Sequence, residues 1–138
     1  MRDKAKILVV EDEAAAAMMM VYLLSRAGCC VVTAWKPEQV FSRAQAGEFD
    51  LIILDMHMPG MDGFAVCEQL RADPQLRHTP VIFVSGSFSG ENRRRATELG
   101  AADCIAKPFR PEDFLSRVRL HISPSQTNRT TTATGKAT

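Results

Sequence analysis

The chain has 138 residues and a mass of 15.2 kDa; 46% of the residues are hydrophobic and 24% charged, with 17 basic against 16 acidic side chains for a formal charge of +1. That size suits one compact domain, and the composition argues against disordered, collagen-like and disulfide-scaffold classes. Near-neutrality excludes a nucleic-acid binder held by a global positive field; two of the basic residues, Arg129 and Lys136, lie in an acid-free end, so residues 1–122 carry −1.

The chain begins with Arg2, Asp3, Lys4 and Lys6, followed by only four apolar residues before Glu11, which is not a signal-peptide pattern. Residues 7–10 are the first short apolar run, broken off by Glu11 and Asp12, and predict a strand buried on both faces. Residues 14–27 follow with helical composition, stopped by Gly28. Their apolar stretch, residues 14–24, is eleven long, short of the roughly 20 needed to span a bilayer. Without a membrane span or leader, the expected location is cytoplasmic. Helical spacing places Ala16, Met19, Met20, Leu23, Leu24 and Ala27 toward a core and leaves Met18, Val21 and Tyr22 outward, an unusually apolar outer face.

Residues 30–33, 51–54, 81–84 and 103–106 repeat the short apolar pattern, the second of them ending at Asp55. Between and after them, helices are expected over 37–46, 63–72, 91–99 and 111–121, with Pro37 and Pro111 at starts and Gly47 and Gly100 after ends. Five strands alternating with five helices predict a mostly parallel α/β sheet covered on both faces. Arg93, Arg94 and Arg95 are read as a solvated helix face. The cysteines, Cys29, Cys30, Cys67 and Cys104, lack any Cys-x-x-Cys spacing and are expected as reduced thiols. Residues 123–138 contain no aromatic or large aliphatic side chain and are expected to form a flexible tail or linker.

In an open α/β sheet, ligands bind beyond the carboxyl ends of the strands. Those ends carry Glu11 and Asp12, Asp55, Ser85 with Gly86, and Lys107. Three carboxylates against one lysine leave an excess of negative charge that a divalent cation would offset, and an all-oxygen site suits magnesium. Beside such an ion Asp55 is a candidate carboxylate nucleophile toward a phosphoryl group, with Lys107 and Ser85 to pair with its oxygens.

These residues sit in four motifs in order: Val9-Val10-Glu11-Asp12-Glu13, the stretch Asp55-Met56-His57-Met58-Pro59-Gly60-Met61-Asp62-Gly63, Val84-Ser85-Gly86, and Lys107-Pro108-Phe109. In this the chain resembles the receiver domain of two-component response regulators from about Lys6 to His121. The resemblance implies a flavodoxin-like, doubly wound five-stranded parallel sheet of order 2-1-3-4-5 with five helices, residues 1–122 forming the receiver. It implies that Asp55 accepts a phosphoryl group from a phosphohistidine of a sensor histidine kinase or histidine phosphotransfer protein. Magnesium would be held by Asp12 and Asp55, by Glu11 directly or through water, and by the main-chain carbonyl of His57. Ser85, Gly86 and Lys107 would bind the phosphoryl group, and a cis Lys107–Pro108 peptide would aim the lysine. Gly60 and Gly63 are expected as backbone-permissive positions, and His57 as a rim residue.

Two departures from the family pattern bear on output. Glu11 stands where Asp is commoner, and of the two switch positions, Ser85 and Cys104, the second is where the family usually carries a Tyr or Phe that turns inward on activation. Met18 and Tyr22 are candidate contacts for the phosphodonor. On this reading the protein is no general enzyme: it promotes its own phosphorylation and dephosphorylation and switches partner binding, with no direct contact to nucleic acid or membrane. An alternative is a receiver-fold interaction module that acts without phosphorylation. A magnesium-dependent aspartyl-phosphate hydrolase ranks below both, because His57 stands where such enzymes place a second acid, and nucleotide-binding and serine-hydrolase motifs are missing.

Overall fold

The computed structural model describes residues 4–122; the stretch expected as a tail, 123–138, lies outside the described residues. In chain order the elements are β1 (Lys6–Val10), α1 (Ala14–Arg26), β2 (Cys30–Ala34), α2 (Pro37–Ala46), β3 (Leu51–Asp55), β4 (His57–Met58), β5 (Met61–Asp62), α3 (Gly63–Ala72), β6 (Val81–Ser85), α4 (Gly90–Glu98), β7 (Asp103–Ala106) and α5 (Pro111–Leu120). Five of the strands form one sheet in the order β2-β1-β3-β6-β7, every neighbouring pair parallel. Order reverses between β1 and β3, the expected doubly wound, flavodoxin-like arrangement.

The central strands are apolar throughout because both faces are covered, and their period of two sends alternate residues to opposite cores. Ile7, Val9, Leu51, Ile53, Ile82 and Val84 face one core, closed by Met20 and Leu24 of α1 and Phe114 and Val118 of α5. Leu8, Val10, Ile52, Leu54, Val81 and Phe83 face the other, closed by α2, α3 and Ala96 of α4. Pro37 and Pro111 open α2 and α5, and positive φ at Gly28 and Gly100 turns the chain after α1 and α4.

Three details differ from expectation. Met19 is 48% exposed rather than buried: α1 meets the sheet along a narrow line through Met20 and Leu24, and one residue is about 100° around a helix from the next. Residues 57–62 form an antiparallel hairpin, His57 opposite Asp62 and Met58 opposite Met61, which periodicity does not announce. Within it Gly60 does need φ of +72°, but Gly63 is required for a different reason: a Cβ there would lie 2.9 Å from Met56 Cα. All four cysteines are free, Cys29 buried and its neighbour Cys30 exposed.

Candidate functional site

Glu11 is delivered by extension of the β1–β2 ladder, its N–H donating to Ala34 O at 3.0 Å. Its side chain is only 1% exposed, and Oε2 accepts the Glu13 N–H at 3.2 Å. Asp55 closes β3; Met56 N–H donates to Val84 O at 3.0 Å, keeping the chain paired with β6 just past the acid. The His57 N–H donates to Asp55 Oδ1 at 3.0 Å, which orients the carboxylate. From the far side of the switch point, Lys107 N–H donates to Ser85 O at 2.8 Å, and the Lys107–Pro108 peptide is cis.

Lys107 Nζ reaches both acids, donating to Glu11 Oε1 at 2.9 Å and Asp55 Oδ2 at 3.3 Å. Burial pushes the Glu11 carboxyl above its usual range, against the pull of Lys107 and with further upward help from Asp55. Burial pushes Lys107 downward, but the hydrogen bond it donates to Glu11 and the charge of Asp55 outweigh that and hold the ammonium above its usual value. The lysine is therefore a firmly charged bridge between two acids.

Asp12, exposed beside them, completes a set in which Glu11, Asp12 and Asp55 each offer an oxygen within 4.8 Å of the others. Three hard oxygen donors, two nearly buried and one open to solvent, with one ammonium, suit a divalent cation that keeps some of its waters. The imidazole of His57 is exposed at the rim, and its main chain is held by Asp55 and by pairing with Asp62.

Ser85 is fully buried, and its hydroxyl is engaged in its own loop, donating to Ser87 O at 3.0 Å and accepting from Ser87 N at 3.1 Å. Gly86 is exposed, and a Cβ there would meet nothing within 4 Å. Cys104 is half-buried on β7 against the core that holds Phe83; burial pushes its thiol up.

Met18 and Tyr22 are 70% and 59% exposed. With Trp35, which the sequence reading did not single out, they line a groove of about 560 Å³ that opens at Glu11 and Asp12. Trp35 lies one residue past β2, and a lone Trp directly after an apolar run was the available signal. On the other side of α1, Met19 and Ala16 line a smaller hollow with Lys107, Pro108 and Phe109. The expected solvated face of α4 is exposed at Arg93, Arg94 and Arg95, although Arg93 and Arg95 also lie over the rings of Phe88 and Phe64 at 4.9 and 4.5 Å.

The family model described as response regulator receiver domain matches residues 7–119. The structure is similar to the chemotaxis protein CheY4 of Vibrio cholerae, with TM-score 0.82, 32% identity, and coverage of 86% of this chain and 99% of that one. It is also similar to the non-phosphorylated HemR receiver domain from Leptospira biflexa, with TM-score 0.80, 30% identity, and coverage of 87% and 95%. Among curated proteins, the transcriptional regulatory protein ResD of Bacillus subtilis is 34% identical over 117 residues, 85% of this chain and 48% of that protein. The chain spans about half or less of the length of such relatives.

Proposed function

The chain belongs to the response regulator receiver domain family, and from that premise we propose that Asp55 is the acceptor of a phosphoryl group carried by a phosphohistidine of a sensor histidine kinase or phosphotransfer protein. The observation that carries this reading is the Lys107 bridge: a charged ammonium placed on Glu11 and Asp55 at the switch point, 2.9 and 3.3 Å from their respective oxygens. In the transfer a carboxylate oxygen of Asp55 forms the new O–P bond while the N–P bond of the donor breaks, and the imidazole nitrogen keeps that electron pair. The His57 N–H holds the carboxylate plane during attack. Lys107 then trades its contact with Asp55 for a phosphoryl oxygen while keeping Glu11, and Ser85 with the Gly86 main chain supplies further donors. A magnesium ion held by Glu11, Asp12, Asp55 and the His57 carbonyl would offset the charge gathered there.

The domain thus promotes only its own phosphorylation and dephosphorylation, and its output is a change in partner binding. Residues 1–122 are the receiver unit on this reading, and 123–138 the tail or linker. Among the described residues no helix is long and apolar enough to cross a membrane.

Incubation with magnesium and acetyl phosphate is expected to add about 80 Da, one phosphoryl unit, as an acid-stable, base-labile adduct that Asp55→Asn abolishes. A wild type left unmodified at saturating donor overturns the reading. The alternative, an interaction module acting without phosphorylation, would then stand; Cys104 at the switch position and the engaged Ser85 hydroxyl favour it.

A further inference from the structure

The apolar outer face of α1 is one wall of a groove completed by β2 and the residue after it. Ala17, Met18, Val21 and Tyr22 follow one another at the spacing of a single helix face, and Thr33 and Trp35 close the other side. The groove is polarised along its length. Because Glu11 N–H donates to Ala34 O at 3.0 Å, the β1–β2 ladder brings Trp35 out beside Glu11 and Asp12, while the stripe on α1 runs away from that acidic end. From the first residue of α1, Ala14, to Tyr22 the helix rises about 12 Å. A volume of about 560 Å³ is that of a small-molecule site rather than of a packing defect.

Charge decides what kind of molecule fits. Glu11 and Asp12 are the only charged residues that line the groove. Lys107 is already engaged by Glu11 Oε1 and Asp55 Oδ2, and among the described residues no cation pairs with the exposed Asp12. An anion entering here would meet carboxylates with no basic group on the walls. A cation gains the Asp12 carboxylate and the indole of Trp35, a ring that already takes the Arg43 guanidinium at 5.3 Å from its centre. Farther along, Arg26 lies over the Tyr22 ring at 5.6 Å, so both aromatic walls are held by guanidinium groups that do not themselves line the groove. Most of the remaining wall is aliphatic or aromatic, which asks for an apolar body.

We propose that the groove beside α1 is a binding site for an amphiphilic organic ammonium, its charged nitrogen on the Asp12 carboxylate beside Trp35 and its aryl or alkyl body along Met18, Val21 and Tyr22. The ammonium supplies the one charge the acidic end lacks, and the body covers the apolar stripe that α1 leaves in water. A molecule seated there also withholds Met18 and Tyr22 from any protein that docks on them. The site shares Asp12 with the candidate cation cluster, but its existence does not depend on Asp55 being a phosphoacceptor.

Trp35 is the only tryptophan of the chain, so its fluorescence reports on the groove. The full chain is titrated with phenylbutylamine and, separately, with phenylbutanol, which keeps the body and loses the charge. The amine is expected to give a saturable change with a Kd below about 1 mM, and the alcohol to bind about tenfold more weakly, the scale of one charge-assisted contact. Asp12→Asn is expected to bring the amine down to the affinity of the alcohol, and Val21→Ser to weaken both ligands about fivefold through lost apolar wall. Circular dichroism and urea midpoints equal to wild type show that the variants are folded. An unsaturable response to the amine, equal affinities for amine and alcohol, or wild-type binding by either variant overturns the proposal. A Trp35 signal that changes on dilution without ligand, with light scattering showing two chains, assigns the groove to a second copy and overturns it as well. Each of these outcomes leaves the acceptor role of Asp55 to be decided by the adduct mass.

Discussion

Lys107 lies 96 residues from Glu11 in sequence and 2.9 Å from it in space. Glu11 is 1% exposed and Asp55 7% exposed, so the lysine is a counter-charge that makes their burial tolerable. Removing it leaves two nearly buried acids facing each other. Because the Lys107 side chain itself retains 23% exposure, Lys107→Ala is expected to lower stability by about 2–4 kcal/mol, somewhat below the range for a fully buried pair. Urea unfolding at neutral pH in chelator measures it, and a loss within about 0.5 kcal/mol of wild type would deny the bridge that weight. The residue types at the strand ends were readable from the chain, but their pairing was not. Which nitrogen meets which oxygen depends on side-chain geometry brought together by β1, β3 and β7, and no local pattern encodes it.

At the scale of elements, the apolar runs and the Pro and Gly punctuation located the helices and the five strands of the main sheet within a residue or two. Those signals are local consequences of backbone chemistry. The β4–β5 hairpin escaped because two-residue strands contain no periodicity to read. Yet it sets the course of the chain between Asp55 and α3, with the Asp62 side chain capping α3 by accepting from Phe64 N at 3.0 Å. Gly63 lets this turn close against the backbone at Met56, 2.9 Å from where a Cβ would sit. Since the obstacle is main chain rather than a flexible side chain, Gly63→Ala is expected to cost about 1–3 kcal/mol, read as a lowered urea midpoint. A midpoint equal to wild type would show that the turn can open freely. In α1, helical spacing separated Met18 and Tyr22 from the core correctly and misplaced Met19, because spacing reports direction around an axis and not how wide the buried contact is.

Across the whole molecule, the sheet order places α1 beside the acids, with apolar hollows on both of its sides. On the function proposed above, a phosphodonor would approach Asp55 over this rim, and the exposed Met18, Tyr22 and Trp35 offer it apolar area next to charge. Combined Met18→Ala and Tyr22→Ala substitution is expected to slow phosphoryl transfer from the cognate phosphohistidine protein by about tenfold or more, the loss of one or two kcal/mol of contact. Labelling by acetyl phosphate, which needs no protein docking, is expected to be unchanged. Equal transfer rates in the protein assay would remove the contact.

By itself the sequence determined the fold class and the identity of the groups at the strand ends, because secondary-structure period and turn chemistry are written residue by residue. Only the tertiary structure decided that Lys107 spans Glu11 and Asp55, that the Ser85 hydroxyl is bound to Ser87, that Met19 is exposed, and that Phe88 sits between Arg93 and the core. Each of those depends on distances between segments far apart in the chain. Such distances are set by how helices and strands pack against one another, which no single stretch of residues contains.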